Sequence, residues 1–138
     1  MNQAALRSPA EFSKAVLGLA NAAGNGLQAG AAVDRIGYTA LIADIVVGHS
    51  GAPTGGTITA QVQDSADGVT FGNYGSPVSA PITAANAAGQ LISVGIDLSG
   101  ARQFVRIVTQ SAPTGGNAAA ATTSATLRLF GPDRLPAR

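Results

Sequence analysis

The chain is 138 residues long, 46% apolar and only 11% charged, with a formal net charge of +1. That length fits a single domain able to bury roughly two-thirds of its unfolded surface. The absence of cysteine excludes disulfides and thiolate chemistry, and the lack of a basic run removes the electrostatic footprint of a nucleic-acid binder.

At the N-terminus, Ser8-Pro9-Ala10-Glu11 has the form of a helix start, with a hydroxyl cap, proline at the first helical position and a capping-box glutamate. Phe12, Val16 and Leu19 follow at helical spacing, which predicts a short N-terminal helix or arm. Residues 21–32 have no period and read as a flexible connector, so the packed domain is expected to begin at Val33. Arg7 and Lys14 precede a short apolar run that imitates a signal peptide, but Pro9, Glu11 and Ser13 interrupt it and no export signal is expected. No apolar run approaches the ~18 residues of a membrane span.

From Tyr38 to Val47 nearly every residue is apolar, the mark of a strand covered on both faces. Ala52-Pro53-Thr54-Gly55-Gly56 recurs as Ala112-Pro113-Thr114-Gly115-Gly116, and each copy separates an apolar segment from an alternating one. Both copies are expected to be loops joining neighbouring strands, because proline and paired glycines sit badly inside a ladder. Ile58, Ala60 and Val62 alternate with polar residues, Asp67-Gly68 supplies a turn, and Val69 and Phe71 resume the alternation. That segment, Thr57 to Phe71, is read as a β-hairpin.

Pro77 and Pro81 bracket a loop or edge strand, and residues 83–90 form a small-residue connector. Ile92, Val94, Ile96 and Leu98 share one face, and Asp97-Leu98-Ser99-Gly100 makes the next turn. Phe104–Thr109 and Ala125–Phe130 complete six to eight strands. The expected fold is all-β: an antiparallel β-sandwich or jelly roll with a short N-terminal helix or arm. Residues 1–32 are assigned to arm and connector, 33–131 to the β-sandwich domain, and 132–138 to an extended tail. Aromatics are only 4% and tryptophan is absent. A core made largely of small side chains gains little from each residue buried, which invites further burial against other subunits.

The residues offer little chemistry. His49 is the only histidine and lies in Gly48-His49-Ser50-Gly51, where a solvated loop side chain is a stronger reading than a catalytic base. Asp64-x-x-Asp67-Gly68 resembles part of a calcium loop but lacks the further oxygen ligands, so a turn capped by aspartate is preferred. The Gly-Gly loops lack the Lys-Ser/Thr of a phosphate-binding loop. No catalytic, cofactor or metal residue is assigned, and no enzyme activity is expected. Tyr74, between Asn73 and Gly75, is the one plausible platform for a sugar.

Four segments taken in order carry a resemblance: Val33-Asp34-Arg35-Ile36-Gly37-Tyr38, Gln63 to Phe71, Gly100 to Arg106, and Leu129-Phe130-Gly131-Pro132 with Leu135-Pro136-Ala137. The order resembles small virion proteins of tailed phages and prophages, over roughly three-quarters of the chain. The resemblance implies a head decoration, or cement, protein that binds the major capsid protein on the capsid exterior. It also implies self-association, with a trimer favoured, assembly in the host cytoplasm, and no direct contact with nucleic acid or membrane. On this reading Arg7, Glu11, Phe12, Arg134 and Leu135 belong to the segments that reach a neighbour. Arg35, Arg102 and Arg106 pair with capsid carboxylates, while Tyr38 packs in the core. A head-completion or tail-associated protein is the alternative within the same class, and a carbohydrate-binding β-sandwich module is the alternative outside it.

Overall fold

A computed structural model describes residues 13–23, 26–49, 53–83, 89–115 and 121–131. Among them there is no helix. Ten strands form: β1 (Ser13–Ala23), β2 (Gly26–Ala29), β3 (Val33–Asp34), β4 (Ala40–His49), β5 (Gly55–Ser65), β6 (Gly72–Asn73), β7 (Val78–Pro81), β8 (Gln90–Asp97), β9 (Phe104–Thr114) and β10 (Ala121–Phe130). One sheet has the order β1-β10-β4-β8. The other runs β2-β9-β5-β6, with β3 also on β9 and β7 also on β5. Every pairing is antiparallel.

The broken rows β2/β3 and β6/β7 each act as one edge strand, which leaves eight strand positions. The first position then pairs with the eighth, the second with the seventh, the third with the sixth and the fourth with the fifth. A long antiparallel ribbon rolled up on itself gives that pattern, so of the two expected architectures the molecule adopts the jelly roll.

Period-two alternation decides which side of each strand is buried. Leu41, Ala43, Ile45 and Val47 of β4 face Ile58, Ala60 and Val62 of β5 and Val105 and Ile107 of β9 across the core. Leu127 and Leu129 of β10, with Ile92 and Val94 of β8, complete the layer. Tyr38, as expected, packs against this cluster while half-buried.

Three local expectations need correction. Residues 13–23 form a strand on β10 in place of the helix predicted from the Phe12, Val16 and Leu19 spacing. The physical reason is a bulge: Leu17 pairs with Thr126 but Leu19 pairs with Ala125, so Gly18 is an extra residue. Leu19 is thereby turned inward beside half-buried Val16, and a three-residue spacing on one strand face mimics a helical turn. Glycine is required there, because a Cβ on Gly18 would collide with the Leu127 side chain. The capping sequence Ser8–Glu11 lies outside the described residues.

Residues 26–29, expected in a connector, pair with β9, and Gly30 N donates to Ile107 O at 2.8 Å while Ala31 N donates to Gly18 O at 3.1 Å. The second of these bonds ties the segment after β2 back to β1 of the other sheet.

The repeated Ala-Pro-Thr-Gly-Gly strings do not close hairpins. Each lies where the chain crosses between sheets, from β4 to β5 and from β9 to β10. The two strings run alongside each other, with Gly55 opposite Thr114 and Gly56 opposite Pro113, and Thr54 N donates to Thr114 O at 3.0 Å. Pro113 lies beyond Ser111, where the described pairing of β2 with β9 ends, as suits a residue without an N–H to donate.

A hairpin with a turn at Gly68 (φ +78°) forms as expected, but its return strand is β6, with Gln63 opposite Asn73 and Asp64 opposite Gly72, while Val69 and Phe71, expected to resume the alternation, lie in the loop. Its loop is longer than a two-residue turn and spans residues 65–71. The proline-bracketed segment forms the edge strand β7 on β5.

Candidate functional site

Two surfaces and one buried polar cluster concentrate what the fold offers. The first surface is the end of the sandwich where the β3–β4, β5–β6 and β8–β9 connections meet. Asp64, on the last turn-ward residues of β5, points inward and is buried. Its Oδ1 accepts from Arg102 Nη2 at 2.8 Å, its Oδ2 from the Arg102 backbone N at 3.0 Å, and its carbonyl O from Arg102 Nη2 at 2.9 Å. Arg35 reaches across to the same loop, where its Nε donates to Arg102 O at 2.9 Å and its Nη2 to Ala101 O. Arg106 donates from Nε to Gln63 Oε1 at 2.9 Å and lies 4.1 Å over the Phe71 ring, a cation–π contact. Two arginines more than sixty residues apart in sequence are thus joined through one loop, and a third braces the hairpin beside them.

Asp67 has the capping role expected for it. Its Oδ1 accepts from Val69 N and Thr70 N, each at 2.9 Å, and from Ser65 Oγ at 2.8 Å. Those donors hold its carboxyl down to about pKa 2. The bonds and burial around Asp64 also have a net direction: the Arg102 hydrogen bond, opposed by desolvation, leaves its pKa lowered. The Ser99 backbone N–H does the same for Asp97. Among the described residues no group of three or more His, Asp or Glu is placed to hold a metal ion.

The polar cluster lies at the opposite end, between the sheets. Thr109 and Ser111 point inward from β9 and are buried, while His49 ends β4 and Gln90 starts β8 on the inner side. Thr109 Oγ1, Ser111 Oγ, Gln90 Oε1 and both ring nitrogens of His49 have no hydrogen-bond partner among the described residues. His49 is therefore shielded, not a solvated loop residue, and burial lowers its pKa below the ordinary 6.5. Among the described residues no hydrogen bond joins the ring to a hydroxyl.

These shifts give a pH dependence of one sign. A depressed pKa means the unfolded chain binds protons first, so stability falls as pH falls. His49 opens this loss below its ordinary 6.5, and Asp64, Asp67 and Asp97 add to it below their ordinary 3.8, reaching down to about 2 for Asp67. Denaturant midpoints measured against pH are expected to fall in two stages, and His49→Gln is expected to remove the first stage alone.

The second surface is the outer side of the β1-β10-β4-β8 sheet. Antiparallel register places Ala15, Arg128, Ile42 and Gly95 in one row and Leu17, Thr126, Asp44 and Ser93 in the next. Val46 lies opposite Leu91 one row further. Leu17, Ile42, Val46 and Leu91 are 63%, 39%, 55% and 65% exposed. β4 was expected to be covered on both faces, and its outer face is open instead: the apolar run is real but only the inner half of it meets the core. None of these outer-face residues was singled out by sequence reasoning as a contact. The one signal was the unbroken run itself, which says that two faces want cover but not what supplies the second.

Of the residues expected to contact a capsid, Arg35, Arg102 and Arg106 are brought to one end of the sandwich, each bonded within the chain. Arg102 keeps 49% of its side chain exposed. Arg7, Glu11, Phe12, Arg134 and Leu135 lie outside the described residues. Tyr74 is half-buried against the core and donates its hydroxyl to Asp97 O at 2.7 Å, so its ring is not a free flat platform.

No known family's sequence model matches the chain, and no curated protein matches it. Solved structures do share its fold. The PBSX exported protein XepA is 16% identical, with a TM-score of 0.50 over 91% of this chain and 39% of XepA. The VP2 subviral particle protein of infectious bursal disease virus is 12% identical, with a TM-score of 0.52 over 87% of this chain and 32% of VP2. A carbohydrate-binding module from Cellvibrio mixtus lichenase 5A, solved with cellotriose, is 13% identical, with a TM-score of 0.41 over 88% of this chain and 92% of the module. This chain therefore spans about two-fifths of XepA and a third of VP2, and at such identities the likeness is one of fold.

Proposed function

We propose that the protein is a structural component of a phage particle, a decoration or cement protein that binds the major capsid protein and strengthens the head. One observation carries the reading: the outer face of the β1-β10-β4-β8 sheet is broad, nearly uncharged and studded with exposed aliphatic side chains. Isolated exposed aliphatics are ordinary, but a contiguous set on one rigid sheet marks a contact surface. A protein with this surface works by the area it covers, without making or breaking a bond. Covering area across subunit junctions favours the assembled lattice by mass action and so opposes the outward pressure of packaged DNA. The jelly-roll fold, shared with a viral capsid protein, supports this reading, and the Arg102 guanidinium at the loop end retains donors for a neighbour's carboxylate.

Quantitative mass spectrometry of purified particles tests it. Hundreds of copies per particle, with heads lacking the protein bursting at lower temperature, are expected. A dozen copies or fewer would replace decoration by the head-completion or tail reading. Absence from the particle would overturn both. Binding to a glycan array that disappears on Tyr74→Ala would favour the sugar-binding module instead.

A further inference from the structure

The open outer face of β4 sets a specific demand. A strand with apolar residues on both sides is stable when both sides are covered. Here Leu41, Ile45 and Val47 are covered by the core, whereas Ile42 and Val46 are not. The face also carries one opposed pair of charges near its centre, with Asp97 at its β8 corner. Arg128 pairs in register with Ile42, and Asp44 with Thr126, so Asp44 and Arg128 occupy opposite corners of one cell of the ladder. No ion pair joins them: Asp44 Oδ1 accepts from Ser93 Oγ at 2.5 Å, and Arg128 Nη1 donates to Ser13 Oγ at 3.0 Å.

Such a corner arrangement is complementary to itself. When two copies meet face to face about a two-fold axis through the centre of that cell, Asp44 of each faces Arg128 of the other. The remaining corners, Ile42 and Thr126, then fall close to the axis, and Ile42 meets Ile42. In this docking the strands of the two copies cross steeply, so the shared plan area is about 19 by 19 Å, roughly 400 Å² before side-chain relief. That lies at the small end for a specific interface, which makes the paired charges the main source of its specificity.

We propose that the occupant of this face is a second copy of the chain, docked sheet to sheet through two Asp44–Arg128 pairs around Ile42. The proposal rests on the reading of this face as a contact surface and assigns it to a second copy, which leaves the loop end that carries Arg102 as the surface turned to the capsid protein. It does not need the capsid. A two-fold pair also differs from the trimer that the family resemblance implies, and a mass measurement separates the two.

The experiment uses the full-length chain in analytical ultracentrifugation across the micromolar range. A dimer of twice the 13.5 kDa chain mass is expected. Asp44→Arg and Arg128→Asp each place like charges opposite one another, which should raise Kd about tenfold or more. An equimolar mixture of the two variants restores both opposed pairs, so dimers are expected to return, an outcome that a merely structural role for either side chain would not produce.

Should a reversal variant fail to fold, Ile42→Cys serves in its place, since the chain has no other cysteine. Stacked sheets stand about 10 Å apart, too far for a disulfide, but a short bismaleimide is expected to link two copies. A monomer at every concentration, a trimer, failure of the mixed variants to associate, or no cross-link would each overturn the proposal. A solution monomer that still decorates particles would sink self-pairing while leaving the proposed function standing. A dimer absent from particles would do the reverse.

Discussion

Replacing Ile107 by alanine is expected to lower stability by about 2–5 kcal/mol, read as a shift of the denaturant midpoint with little change in slope. Ile107 is fully buried in β9, the strand that holds β5 on one side and β2 and β3 on the other. Removing most of its side chain forfeits transfer energy and leaves a cavity that neighbouring strands cannot close without breaking their ladders. The loss weighs heavily here because the buried core among the described residues holds no aromatic side chain and four of its positions are alanine, so it rests on its Ile, Leu and Val side chains. Against a typical domain stability of about 5–15 kcal/mol, one such substitution is a large fraction. The control is Leu91→Ala on the open face, which is expected to change the stability of the isolated chain by no more than about 0.5 kcal/mol. Equal losses at both positions would mean that the inner and outer faces have been assigned wrongly.

Gly56→Ala is the second large effect, expected at about 2–4 kcal/mol. Two costs act together. The residue sits at φ +106°, in the left-handed region that a Cβ disfavours. Its Cβ would also overlap the Ala112 carbonyl oxygen and lie 2.8 Å from Pro113 Cα. Both obstacles are backbone, so no rotamer change relieves them. At Gly55 the nearest atom to an added Cβ is Thr114 Oγ1 at 3.0 Å, the movable end of a side chain. Gly55→Ala is therefore expected to cost under about 1 kcal/mol. Thermal unfolding of the two variants side by side would check whether the paired Ala-Pro-Thr-Gly-Gly strings are packed backbone to backbone. Similar effects at the two glycines would refute that packing.

The candidate surfaces were only partly legible beforehand. Asp67 could be recognised as a capping residue because its partners, Val69 and Thr70, are adjacent in sequence. The clamp of Arg35, Asp64 and Arg102 could not, since its members are tens of residues apart and nothing local to any of them names the others. Their charges drew attention as possible contacts for a neighbour, and the fold shows them already bonded inside the chain. Asp44 and Arg128 went unremarked for the same reason: their opposition exists only once β4 and β10 are in register.

Local order alone was enough to determine the class of the protein. Alternation along Ile58–Val62 and Ile92–Leu98 reports a strand with one wet side, because burial in a pleated backbone repeats every two residues. Glycine, proline and aspartate marked where strands end, since their backbone preferences act within a few residues. What the local pattern left open was everything that depends on distant partners. That Ser13 lies beside Phe130, that Gly18 bulges and so disguises a strand as a helix, and that the outer side of β4 stays open are all outcomes of tertiary pairing. An apolar side chain states that it needs cover; only the assembled sheets decide whether the cover comes from within the chain.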